Sequence, residues 1–192
     1  MSDALAMQSG MKPLECARDV EVPNLTFTGV FRLTTHIICF CQLAGTNPED
    51  RLSMWYLAVS SGTTSNIVVT SPVNAYACAI VTYNINGNIN STPSATKVDN
   101  GASPNVLTIS IPAVGVAIAA GSNRGGQGTS TFANITERND FSSVTDRGDF
   151  GLTSSASDAF EDAQTNLAIT HSYSAGSSTT GCGLVVAWGP PS

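Results

Sequence analysis

The chain has 192 residues, of which Lys and Arg make up 8 and Asp and Glu 14, so charge occupies only 11% of positions and the net charge is −6. A soluble domain ordinarily carries about 25% charge; here Ser (23), Thr (21), Asn (14) and Gly (17) fill that space. The acidic balance argues against nucleic-acid binding, which needs a basic footprint, the composition is not that of a helical bundle, and 42% hydrophobic residues suffice for a core, against charge-driven disorder.

The first ten residues lack both the basic and the apolar region of a secretory signal, so the expectation is a soluble protein made in the cytoplasm and not exported. Residues 106–120 are free of charge but shorter than the ~20 residues a membrane helix needs. Pro112 and Gly115 interrupt them, which predicts two strands around a corner at Pro112 and no membrane partner. Cys16, Cys39, Cys41, Cys78 and Cys182 are odd in number and cannot all pair within one chain. Without export they read as buried free thiols.

Taken in chain order, residues 1–24 hold Lys12, Glu15, Arg18, Asp19 and Glu21 with Pro13 and Pro23 and no sustained alternation, and read as an irregular N-terminal arm that orders on a partner. From Leu25 the texture is β. Strands are expected over 25–32, 33–43, 52–60, 66–70 and 75–85, followed by an exposed Asn/Ser/Pro-rich loop at 84–105. Residues 105–111 and 114–120 read as a pair of strands, 121–128 as a Gly-rich loop and 129–135 as a strand. Residues 139–157 read as a polar, Asp-bearing stretch with short β segments around 150–155, and 159–164 as the one modest helix. Residues 165–174 alternate, with Leu167, Ile169, His171 and Tyr173 on one face. Residues 181–188 close the chain, with Cys182, Leu184, Val186 and Trp188 on one side. About nine or ten short strands at this spacing predict an all-β fold, an antiparallel β-sandwich, as one domain over 25–192 behind the arm.

Candidate sites weigh out mostly as structure. His36 faces away from Cys39 and Cys41 in an extended strand, so the three cannot share one zinc ion. Ser and Asp are plentiful, but no G-x-S-x-G elbow is present, and His171 reads as a core or interface histidine rather than a hydrolase base. The 121–128 loop lacks the Gly-Lys-Ser/Thr of a phosphate loop. Asp140, Asp146, Asp149, Asp158, Glu161 and Asp162 offer oxygen ligands without calcium-loop spacing and read as solvated. Arg147-Gly148-Asp149 carries no weight without an extracellular context. Trp55, Tyr56, Tyr76, Tyr83 and Trp188 scatter as core and rim residues rather than a sugar platform. No cofactor and no metal are expected.

One set of motifs points further. Residues 115–120 (GVAIAA), Phe132, residues 135–140 (ITERND) and the closing 184–190 (LVVAWGP) resemble a pattern in structural proteins of tailed bacteriophages and prophages. In that pattern a Trp often precedes the Thr-Glu-Arg and a Tyr follows it, where this chain has Phe132 and Asn139. The resemblance covers about the last 90 residues. It implies a jelly-roll-like sandwich on the virion, a head decoration (cement) protein or the base of a fibre or spike, and not an enzyme. The expected partners are a major capsid protein or other virion protein and further copies of the chain, with a trimer as one arrangement. The residues expected at assembly contacts are Lys12, Arg18 and Asp19 in the arm, Arg124 in the Gly-rich loop, and the adjacent Glu137 and Arg138. A carbohydrate-binding adhesin is the alternative.

Overall fold

The computed structural model describes residues 14–16, 27–28, 35–43, 52–59, 68–69, 78–85, 87–99, 104–124, 129–144, 150–173 and 181–191. Among them lie fourteen strands and no helix. The strands are β1 (Leu14–Cys16), β2 (Phe27–Thr28), β3 (Thr35–Leu43), β4 (Leu52–Val59), β5 (Val68–Val69), β6 (Cys78–Asn84) and β7 (Ala95–Asp99), then β8 (Asn105–Ile111), β9 (Gly115–Arg124), β10 (Ser130–Ala133), β11 (Glu137–Val144), β12 (Phe150–Phe160), β13 (Gln164–Tyr173) and β14 (Gly181–Trp188).

Eight of these strands form two antiparallel sheets packed face to face, one ordered β11-β12-β9-β14-β7 and the other β10-β13-β8. The inward positions follow from the strand period of two. On β8, Asn105, Leu107, Ile109 and Ile111 are buried while Val106, Thr108 and Ser110 are exposed. Leu107, Ile109, Ile111 and Ile169 pack there against Ala117, Ala119, Ala156, Val185 and Ala187 of the opposite sheet. Bulk on one sheet meets small residues on the other, which lets the two approach closely without voids.

The other face of the five-stranded sheet is apolar as well. Ile118, Ala120, Cys182, Leu184, Val186 and Trp188 cluster with Met54 of β4, Val81 of β6 and Ile85. Met54 and Val81 belong to a further antiparallel sheet ordered β1-β4-β3-β6, and β2 pairs with β5. Residues 182–189 are therefore buried without a break. A strand covered on both faces reads as a continuous apolar run instead of an alternation, which is why Leu184, Val185, Val186, Ala187 and Trp188 follow one another.

The expected corner at Pro112 is present, but the strands on either side do not pair. β8 bonds to β13, whereas β9 bonds to β12 and β14, so the chain crosses from one sheet to the other there. Val114 at the corner has φ 54° and is 69% exposed, and its N–H donates to the Glu161 carbonyl at 3.0 Å. Left-handed backbone is costly for a β-branched residue. Gly115 follows because a Cβ there would fall 2.5 Å from the Pro112 carbonyl oxygen and 2.8 Å from that of Trp188.

Four expectations need correction. Residues 159–164 are not helical: Ala159 and Phe160 end β12, Glu161 and Asp162 bend, and β13 begins at Gln164. Helix propensity there is weak and yields to sheet pairing. Gly121 to Arg124 are strand, not loop, and pair with β12 and β14. The polar stretch 139–157 contains most of the β11–β12 hairpin, in which Ser154 and Ser155 are buried. Within 84–105, Ala95–Asp99 forms β7 on β14. In the expected arm, Leu14–Cys16 pairs with β4, and the rest of the arm lies outside the described residues.

Candidate functional site

The densest polar chemistry lies inside the sandwich. The alternation of β13 points His171 inward beside Ile169. Its Nε2 is 2.7 Å from Ser130 Oγ on the neighbouring β10 and 3.1 Å from Ser154 Oγ on β12 across the core, and the two hydroxyls also bond to each other. Phe132 lies against the imidazole with ring centroids 4.8 Å apart, and Tyr173 meets it edge-on at 5.2 Å. The remaining side of the ring rests on Gly121, where a Cβ would collide with the imidazole. That contact is the physical reason for a glycine in the middle of β9.

Ser130 Oγ and His171 Nε2 stand within the reach of a nucleophile and its base. However, Ser130 is 2% exposed and His171 1% exposed, and His171 Nδ1 has no hydrogen-bond partner. Burial leaves a substrate carbonyl no approach to the hydroxyl, and no carboxylate orients the ring as the third member of a triad would. Desolvation lowers the His171 pKa from 6.5 to about 4. A charged imidazole would carry a second N–H, at Nδ1, with no acceptor. The trio therefore fastens β10, β12 and β13 together as neutral groups.

A second polar cluster lies at the start of β11. Asp158 on β12 accepts from the Thr136 N–H at 2.7 Å and from Thr136 Oγ1 at 3.0 Å through Oδ2, and Arg138 Nη2 reaches its Oδ1 at 3.3 Å. Arg138 also donates to the Ser157 carbonyl from Nε at 3.1 Å and from Nη2 at 3.0 Å. The register shift between Glu137 and Asn139 is a bulge, which brings Arg138 over β12. Glu137, on the same strand, is half-buried. Burial, then the charge of Asp140 and a hydrogen bond with it, raise the Glu137 pKa, and burial raises that of Asp140.

An open groove of about 590 Å³ runs over the outer side of the five-stranded sheet, lined mainly by Tyr83, Ile89, Val114, Val116, Ile118 and Phe160. Beside it the Tyr83 hydroxyl bonds Ser155 Oγ at 2.7 Å, and Asn88, Ser157 and Glu161 also line it.

Of the expected contact residues, Glu137 borders the bulge and Arg138 lies within it. Arg124 pairs through its backbone with Gly151 at the end of β9. Lys12, Arg18 and Asp19 lie outside the described residues, as do Asp146 and Asp149. Among the described residues no three His, Cys, Asp or Glu side chains come together as metal ligands, and no helix is long and apolar enough to cross a membrane. Trp188 is fully buried and presents no surface to a sugar. Ser130, Ser154 and Gly121 were not among the expected site residues, because nothing in the local sequence marks which serines of distant strands meet His171. The chain matches no family of known proteins, no curated protein and no solved structure.

Proposed function

We propose that the chain is a non-enzymatic structural protein of a tailed-phage virion, a decoration or cement protein on the particle surface that self-associates and contacts the major capsid protein. The strand orders β7-β14-β9-β12 and β8-β13-β10 follow from one long hairpin wound over two sheets, as in a jelly roll, with β11 bonded to β12 as a fifth strand. Jelly rolls recur in viral shells and in lectins, so the fold alone does not choose between them.

The observation that carries the reading is the division of polar groups. The buried Ser130 and Ser154 hydroxyls and His171 Nε2 bond one another, leaving Nδ1 without a partner, and Arg138, Asp158 and Thr136 bond one another at the surface. Meanwhile β8, β10 and β13 contain no Asp, Glu, Lys or Arg in a chain of net charge −6. Such surface is inexpensive to desolvate against another subunit. In this reading the arm, residues 2–24, binds the capsid lattice and carries Lys12, Arg18 and Asp19 to it. Arg124, Glu137 and Arg138 lie nearer the subunit boundaries, and copies of the chain assemble, with a trimer as one arrangement.

The test is to mix purified full-length chain with undecorated phage capsids, sediment the particles and heat them. Co-sedimentation at fixed stoichiometry with a raised disruption temperature is expected. Retention on glycans, with no effect on capsids, would favour the adhesin.

A further inference from the structure

We draw no further inference here: the strongest candidate, the open groove of about 590 Å³ over the outer side of the five-stranded sheet, lined by Tyr83, Val114, Val116 and Phe160, carries nothing because no feature of the structure shows what covers it.

Discussion

On the inner side of the sandwich the five-stranded sheet presents Ala117, Ala119, Gly121, Ala156 and Ala187, whereas the three-stranded sheet presents Leu107, Ile109, Ile111, Ile169 and His171. The outer sides differ in the opposite sense. Outside the five-stranded sheet lies a second apolar cluster around Trp188, Leu184 and Ile118, and its strands carry most of the described charges. Outside the three-stranded sheet the described side chains are mainly Thr, Ser, Ala, Asn and Val, with the Asp99 carboxylate on the Val106 N–H at 3.0 Å. A sheet buried on both faces must take its small side chains where a bulky partner presses on it. A sheet buried on one face is free to specialise the other. The comparison teaches that the core is built from unequal halves, small side chains on one sheet accommodating bulk on the other.

The comparison can be broken most severely at Trp188. Replacing it with Ala empties the core between the five-stranded sheet and Met54, and a loss of about 3–5 kcal/mol is expected in denaturant unfolding. By contrast, Thr108→Ala on the outer face of the three-stranded sheet should remain within about 0.5 kcal/mol. Equal losses would contradict the burial difference.

Acid separates the two sheets by sign. His171 has its pKa lowered to about 4 from 6.5, so below pH 6.5 the unfolded chain takes a proton that the fold refuses. Stability is therefore full above that pH and declines as pH falls toward 4, by about 3 kcal/mol. Glu137 and Asp140 have raised pKa values, so protonation favours the fold and their contribution rises as pH falls through the carboxylate range. Melting temperatures against pH should lose their decline between pH 6.5 and 4 in His171→Gln. Glu137→Gln should steepen the acid limb.

The junction of the sheets is tested at Gly121. Ala there meets the His171 ring, and a loss of about 1–3 kcal/mol is expected. Combining Gly121→Ala with His171→Ser should recover part of it, because the clash and the ring are removed together. The smallest effect belongs to the half-exposed ion pair. Arg138→Ala should cost about 1 kcal/mol or less. Asp158→Ala should cost more, since it also leaves the Thr136 N–H without its acceptor.

Legibility followed how locally each feature is encoded. β14 was readable to its ends, and so was the inward side of β13, because both carry their pattern within a few residues. The helix expected at 159–164 failed because six residues are too few to sustain one, and the pairing of β12 with β9 and of β13 with β8 overrode the local preference of Ala, Glu and Gln. The expected loop from Gly121 failed for a different reason: Gly signals a turn in isolation, yet Gly121 exists for a ring contributed fifty residues later. His171 was visible as a core histidine, but its serine partners depend on strand order, which no single segment encodes. The absence of charge from β8, β10 and β13 was present in the sequence. Only the sheet order shows that the three strands form one face.

The most direct measurement is the molar mass of the full-length chain in solution, by light scattering over a wide concentration range at neutral pH. A self-associating structural protein is expected to give a multiple of 19.8 kDa that falls toward the single-chain value on dilution. A mass of 19.8 kDa at every concentration would contradict self-assembly.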